Sequence, residues 1–289
     1  MILVIGGTGN LGARVVGRLL DSGAQLRLLS RPTSRVPPGW DVEVVRGDLG
    51  DTVTVAAAAR GCSSVFLLSA MNPDLDAAEI TAIDAMGTAG AGHVVKLSTT
   101  APAVDSPISW WRAHWRAEQA LRAAPVGWTI LRPNGIASFL LDFAPEVIAD
   151  ACFRTAAGTG AMALVHPDDV ADAAAAVLAE VGAHQGRTWD LTGPRALTYD
   201  DVAVILGGIL DRPIRHLSEP PEVALPRLME RGLAAWEAEG VVANWLMTGS
   251  GEGDFVRVTD DVRRICGRAP RTVEEFMRDN ADVFRGGPA

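Results

Sequence analysis

The hydrophobic positions of this chain follow two alternating rhythms from the first residues onward. Ile2-Leu3-Val4-Ile5 is an unbroken apolar run, the pattern of a parallel strand covered on both faces. Val15, Val16, Leu19 and Leu20 then recur at helical spacing. The pair of rhythms repeats: strands are predicted over 25–30, 42–45, 64–68, 93–97 and 127–131, with helices over 52–60, 75–90 and 109–122 between them. Alternation at that pace marks right-handed βαβ crossovers, so the predicted fold class is α/β with an open, doubly wound parallel sheet. Beyond residue 135 the rhythm loosens. An alanine-rich helix over 167–180 and a strand over 187–191 read as a return to the sheet, and the rest is mainly helical with a short strand near 212–217. The expected organisation is a core of 1–135 rejoined by 164–192, and a smaller lobe of 136–163 and 193–289.

The junction of the first strand and first helix carries the most chemistry. Gly6-Gly7-Thr8-Gly9-Asn10-Leu11-Gly12 places Gly6, Gly9 and Gly12 at a spacing of three. The first glycine allows a tight turn, and the second lets the backbone approach a pyrophosphate. The third lets the helix sit close to the sheet, its N-terminal amides aimed at the phosphates. A dinucleotide site built on Gly6, Thr8, Gly9, Asn10, Leu11 and Gly12 is therefore expected, with a ligand-free βα turn as the alternative. The end of the second strand selects the cofactor. A free ribose hydroxyl is usually gripped by an acidic residue about 20 positions beyond the glycines. Ser30 and Arg31 stand there instead, with Arg35 soon after. Arginine suits a ribose 2′-phosphate, which favours NADPH (NADP) over NADH; otherwise Arg31 is a solvated loop residue.

The later strand ends extend the site. Asp48 can accept from an adenine amine while Leu49 packs on the ring, although Asp48 or Asp51 can equally cap a helix. Ligands of such sheets sit at the carboxyl edge. Ser69 and Ala70 after the fourth strand and Ser98 and Thr99 after the fifth are thus expected beside the nicotinamide, Leu68, Pro133 and Asn134 are further expected cofactor contacts, and Met71 is placed toward the substrate. The run Gly249-Ser250-Gly251-Glu252-Gly253 reads as a loop, not a second phosphate cradle, since no strand precedes it.

Composition narrows the class further. A chain of 289 residues with 48% hydrophobic and 21% charged residues is globular, and its net charge of −9 argues against direct nucleic-acid binding. The three cysteines, Cys62, Cys152 and Cys266, lie far apart and lack metal spacing, so they read as buried thiols in a reducing compartment, and no metal site is expected. The chain opens on a strand and has no apolar run of membrane-span length, which predicts a cytoplasmic protein without a membrane partner. Within 109–121, Trp110, His114 and either Ala117 or Glu118 share one helix face, with Trp111 and Trp115 on the neighbouring one. Packing on the sheet, on a second copy in a homodimer, or as a pocket wall all fit that pattern. His114 is accordingly a candidate proton donor or a core or surface histidine.

These motifs together resemble the NmrA-like group of atypical short-chain dehydrogenases/reductases, which includes the type 2 quinone oxidoreductases and NADPH-sensing regulators. The likeness is carried by the glycine motif at 6–12, Arg-Gly-Asp-Leu at 46–49, His-x3-Glu-x2-Leu at 114–121 and Trp-Thr-Ile-Leu-Arg-Pro-Asn at 128–134. It continues with His-Pro-Asp-Asp-Val-Ala-Asp-Ala at 166–173, Leu-Thr-Gly-Pro at 191–194 and Cys-Gly-Arg-Ala-Pro-Arg-Thr at 266–272. The resemblance implies a Rossmann-type core with a small helical lobe over the cleft, and substrate choice set by 136–160 and 218–250. Phe139, Leu140 and Phe143 are then candidate pocket walls, with Trp110 and Trp111, although core packing explains the first three equally well. His166 is expected to be structural, and Asp168 and Asp169 to complement a helix dipole.

The chain departs from the superfamily's usual chemistry. Classical members carry a Tyr-x3-Lys pair on the helix that here spans 109–122, and alignment on Glu118 and Leu121 puts Trp110 and His114 at those two positions. With Tyr199 the only tyrosine and Lys96 the only lysine, that pair cannot be built on this helix. A quinone or conjugated enone, aromatic or polyketide-like ones included, accepts hydride without a tyrosine because the developing oxyanion is delocalised. His114, Ser98 and Thr99 are the candidate proton donors or oxyanion stabilisers, His114 first because an imidazole titrates near neutrality. The predicted function is NADPH-dependent reduction of such a small molecule. Two alternatives stand beside it: a non-catalytic NADP(H) sensor acting through a protein partner, and a non-redox enzyme doing cyclisation or coupling on the same fold.

Overall fold

Strand β1 (Ile2–Ile5) pairs in parallel on both sides, so the apolar run that opens the chain lies inside the sheet. In the computed structural model, residues 1–72, 75–251 and 254–287 are described; Glu252 and Gly253 of the glycine run lie outside them. From β1, α1 (Asn10–Asp21) leads outward to β2 (Leu26–Ser30) and β3 (Val42–Arg46). Helix α2 (Thr52–Ala59) returns the chain past β1 to β4 (Ser64–Leu67). Then α3 (Leu75–Thr88), β5 (His93–Leu97), α4 (Ser109–Ala123) and β6 (Gly127–Pro133) build the other half. A 3-10 turn (Ala137–Phe143), α5 (Ala144–Asp150), β7 (Cys152–Thr155) and β8 (Ala161–Met162) depart from the sheet. Helices α6 (Pro167–Ala179) and α7 (Val181–His184) bring the chain back to β9 (Arg187–Leu191). The seven strands run parallel in the order β3-β2-β1-β4-β5-β6-β9, so the order reverses between β1 and β4 and opens a crevice at their carboxyl ends. This is the doubly wound sheet that the two rhythms predict.

The remaining chain forms β10 (Leu197–Thr198), α8 (Tyr199–Leu210), β11 (Arg215–Ser218), α9 (Pro221–Glu230), α10 (Ala235–Ser250), α11 (Asp261–Cys266) and α12 (Val273–Asp279). Of two short sheets, antiparallel β8–β10 and parallel β7–β11, β11 is the short strand expected near 212–217, whereas β7, β8 and β10 were missed because two- to four-residue strands carry no period. Gly249 and Ser250 turn out to close α10, and Gly251 caps it at φ +71°, so the start of the glycine run is helical rather than loop. Side chains alternate across a strand. Val95 and Leu97 of β5 thus join the α1–α6 layer with Val16 and Val170, while Val94 joins the α2–α3–α4 layer with Val55, Ile83 and Leu121. A third core, with Phe143, Phe153, Tyr199, Trp245 and Phe276, fills the smaller lobe. Helix α11 packs back on α6 and β9, so the sheet half also receives Val262 and Ile265.

An ionic hub ties α1, α6 and the 266–272 segment together. Asp168 meets Arg14 (2.8 Å) and Arg18 (2.6 Å), Asp172 meets Arg18 (2.7 Å), Arg271 (2.9 Å) and Arg268, and fully buried Asp169 meets Arg268 (2.6 Å) and Arg271 (2.5 Å). Asp168 and Asp169 therefore do more than complement a helix dipole. Burial alone would raise the Asp172 carboxyl, but hydrogen bonds from Arg18, Arg271 and Arg268 outweigh it and hold it at about 2 against an ordinary 3.8. A depressed carboxyl stabilises the fold above its ordinary value, and that stability is lost as pH falls toward 2. Stability should therefore fall between pH 4 and pH 2, with about 1–2 kcal/mol of the loss absent from an Asp172→Asn variant. Urea unfolding across that range measures it.

Candidate functional site

The crevice begins at the glycine turn. Gly6 has φ +77°, and a Cβ there would stand 2.2 Å from the Leu68 carbonyl oxygen. A Cβ on Gly12 would stand 2.0 Å from the Gly6 carbonyl, whereas one on Gly9 would meet nothing closer than 3.5 Å. Two glycines thus seat α1 against the strand ends, and the third leaves open space. Gly9 is the N-cap of α1 without a side-chain cap, and the first turn holds no acid, so its amides have no side-chain partner among the described residues. Unclaimed amides at the positive end of a helix dipole suit a pyrophosphate. Nearby, the Asn10 side-chain oxygen accepts from Arg14 Nε (3.3 Å), and Leu11 packs on the α1–α6 layer.

At the end of β2, Ser30 is buried and its hydroxyl accepts from Arg46 Nη1 at 3.2 Å. Arg46 also donates to the carbonyls of Arg31 (3.2 Å) and Ser34 (2.8 Å). Arg46 therefore braces the loop from below, while the Arg31 and Arg35 side chains are exposed and make no hydrogen bond or ion pair among the described residues. Of the two acids after β3, Asp51 caps α2, accepting from Val53 (3.0 Å) and Thr54 (3.3 Å). Asp48 is exposed and accepts only from the Gly50 amide (3.1 Å), and Leu49 packs partly on the α2–α3 core.

The carboxyl ends of β4, β5 and β6 are joined to the α3–α4 layer by two buried polar networks. In the first, Glu118 of α4 accepts from Ser98 Oγ (2.6 Å), from Arg132 Nε (2.9 Å) and Nη2 (2.5 Å), and from Arg122 (3.2 Å). Burial would raise this carboxyl, yet the hydrogen bonds from Arg132 and Ser98 hold it below its ordinary value. Ser98 is itself buried and its proton is committed to Glu118. Thr99 is half-buried beside it. In the second, Lys96 and Glu79, both fully buried, form an ion pair at 2.5 Å. Ser69 Oγ donates to Glu79 (2.7 Å), and Lys96 Nζ donates to His114 Nδ1 (3.1 Å) and to the Leu97 carbonyl (3.1 Å). Burial first, and then the Lys96 ammonium, push His114 well below its ordinary value, so the ring is neutral.

Other expected residues have varied surroundings. Asn134 is buried and donates to the Phe255 carbonyl (2.7 Å), leaving its buried Oδ1 without a hydrogen bond; the buried Pro133 beside it accepts from the Thr100 amide (3.1 Å). Leu68 lies against Gly6, and Ala70 and Met71 are exposed. Trp110, at the position of the classical tyrosine, is half-buried on α10, where a Cβ at Gly240 would come within 2.0 Å of its ring. Trp111 packs on Phe255 (5.4 Å) and Phe143 stacks on Phe153 (4.6 Å), so both are core residues of the smaller lobe, as is Leu140. Phe139 is half-buried with its edge on Phe143 (6.2 Å). Trp110, Phe139 and Met71 therefore retain a surface that a ligand could touch, and Trp111, Leu140 and Phe143 do not. His166 caps α6, its Nδ1 accepting from the Asp168 amide (3.1 Å).

Glu79, Lys96, Glu118 and Arg132 are the residues that sequence reasoning passed over as chemistry. The signal was present: a lysine interrupts the apolar run of β5, and His114 and Glu118 stand four apart on one face of α4. Among the described residues no group of His, Cys, Asp or Glu could hold a metal ion, and no helix is long and apolar enough to cross a membrane. The three cysteines are free, and burial pushes the Cys266 thiol up to about 11.

Comparison with known proteins agrees with this geometry. Residues 6–181 match the model of an NAD(P)H-binding family, and the chain belongs to that family. Over its whole length it is similar to a (4-alkanoyl-5-oxo-2,5-dihydrofuran-3-yl)methyl phosphate reductase of Streptomyces griseus, 33% identical over 98% of this chain and 99% of the relative. It is also 29% identical to an NAD(P)H azoreductase of Xenophilus azovorans, over 98% of this chain and 99% of the relative. The fold resembles that of an NADPH-dependent quinone oxidoreductase of Escherichia coli solved with NADPH, with a TM-score of 0.87, 23% identity, and coverage of 97% of this chain and 99% of the other. The resemblance to the NmrA-like reductases drawn from the motifs is borne out.

Proposed function

We propose that the chain is an NADPH-dependent reductase of a quinone or conjugated enone. The observation that supports this best is the uncapped α1 N-terminus over an open glycine, with the unpartnered Arg31 at the end of the neighbouring strand β2. The amides of 10–12 would hold the pyrophosphate, Arg31 with Arg35 the 2′-phosphate, and Asp48 and Leu49 the adenine. Leu68, Ser69, Ala70, Pro133 and Asn134 would flank the nicotinamide. When bound, the reduced nicotinamide supplies hydride. His114 would donate a hydrogen bond to the acceptor oxygen as charge develops there. Ser98, its proton committed to Glu118, would fix the β5 end instead of giving up a proton. Met71, Trp110 and Phe139 would contact the substrate. The dihydrofuranone named for the 33% identical relative is a conjugated enone, and the quinone oxidoreductase shares the fold.

Mixing the protein with NADPH and a panel of quinones and enones, while following the reduced-nicotinamide absorbance, tests the activity. Acceptor-dependent oxidation is expected. Tight NADPH binding with no oxidation by any acceptor would favour the sensor instead. Arg31→Ala should weaken NADPH binding by about 1–3 kcal/mol, the scale of a lost hydrogen bond to a charged group, and leave NADH nearly unchanged. Titration calorimetry with both cofactors reads this directly, and equal losses would remove Arg31 from phosphate recognition.

A further inference from the structure

We propose that Lys96 is a positioning residue: it locks His114 as the neutral Nε2–H tautomer, so that the ring meets the substrate oxygen as a hydrogen-bond donor and not as an acid. The inference deepens the reductase reading and rests on it. An ammonium has three N–H groups and no lone pair. Those of Lys96 are all assigned, to Glu79 Oε2 (2.5 Å), the Leu97 carbonyl (3.1 Å) and His114 Nδ1 (3.1 Å). Nδ1 must therefore accept, which leaves the ring proton on Nε2. Nε2 makes no hydrogen bond within the described protein, yet it is not among the buried atoms sealed from solvent. It is a donor without a partner, on the helix where classical relatives keep their acid.

The lock is anchored at the crevice. Glu79, which holds Lys96, is held in turn by Ser69, just beyond the carboxyl end of β4. The chain Ser69–Glu79–Lys96–His114 thus runs from the expected nicotinamide edge through the α3–α4 layer to α4. Charged side chains on the elements around His114 are Asp76, Glu79 and Asp84 of α3, Lys96 of β5, Arg132 of β6, and Glu237 and Glu239 of α10. Helix α4 itself adds Arg112, Arg116, Glu118 and Arg122. Asp76 is paired with Arg116, and Glu118 with Arg132 and Arg122. Of the whole set, Lys96 is the charge that acts on the ring, and it acts against protonation.

The chemistry follows. On hydride transfer, one acceptor oxygen would gain the electron pair of its C=O bond. The Nε2–H group donates a hydrogen bond to that oxygen and keeps its proton, and water then supplies the proton that completes the product. Because no imidazolium is consumed, turnover has no histidine limb near 6.5.

Ring-nitrogen NMR of the histidine-labelled, cofactor-free protein tests the lock without turnover, and five histidines keep the assignment simple. His114 should show the Nε2–H signature unchanged from about pH 5.5 to about pH 8. A Lys96→Met single variant strands Glu79, so the double variant Lys96→Met/Glu79→Gln is the one to use, since it removes both charges together. In it the signature should give way to mixed tautomers that titrate. The kcat with a quinone should fall about 10–100-fold while the KM for NADPH changes by less than about twofold. An imidazolium or an Nδ1–H ring in the native protein, or an unaltered ring in the double variant, would overturn the lock. A locked ring in a protein that oxidises NADPH with none of the quinone or enone acceptors would overturn the reductase reading and leave the lock standing.

Discussion

Replacing Lys96 with methionine is expected to lower the free energy of unfolding by about 3–5 kcal/mol, the scale of a buried ion pair broken on one side. Both partners are fully buried, at 0% exposure, on neighbouring elements β5 and α3. Methionine matches the lysine stem in length, so little packing is lost and the penalty falls on Glu79. That carboxylate would keep only the Ser69 hydroxyl as a donor, and it must either stay charged without a cation or take up a proton. Adding Glu79→Gln should recover most of the loss, because a neutral amide still reaches Ser69. Urea unfolding of the native, single and double proteins checks this. A single variant within about 1 kcal/mol of native would mean the pair is solvated.

Gly12→Ala is expected to cost about 3 kcal/mol, felt chiefly as a drop of about 100-fold in NADPH affinity. The added Cβ would lie 2.0 Å from the Gly6 carbonyl oxygen and 2.9 Å from the Gly7 Cα, and backbone atoms have no rotamer to escape into. Helix α1 must move away from the turn, and its first-turn amides move with it. The ionic hub holds α1 to α6 farther along, through Arg14 and Arg18, so the helix should tilt and not detach. Gly9→Ala is the control. Its Cβ would meet the protein no closer than 3.5 Å, so folding should be untouched while the approach of a phosphate is blocked. Far-ultraviolet circular dichroism with calorimetric titration separates the two effects.

The contrast between the cofactor half and the catalytic half of the site shows what a sequence can reveal. The glycine turn and the strand ends were legible because each is a local device, a motif fixed by chain neighbours and by the period of the flanking elements. Lys96 was noticed only as the sole lysine, and its partners Glu79 and His114 lie 17 and 18 residues away. Nothing local announces such a meeting; it arises because alternate residues of β5 face the α3–α4 layer. The absent Tyr-x3-Lys pair was read correctly from α4, but the lysine that reaches that helix comes from a strand. Core and pocket-wall residues of the smaller lobe were not separable for a similar reason. Phe139 and Phe143 are four apart on one short turn, and only the stacking of Phe143 on Phe153, from a strand whose pairing gives no periodic signal, decides between them.

We propose that NADPH binds in the crevice between β1 and β4 through the α1 amides and Arg31. Calorimetric titration of the native protein with NADPH and then NADH tests it most directly. One NADPH per chain is expected, bound about tenfold or more tightly than NADH because the 2′-phosphate adds a charge-assisted contact. Equal affinities, or no binding of either nucleotide, would contradict it.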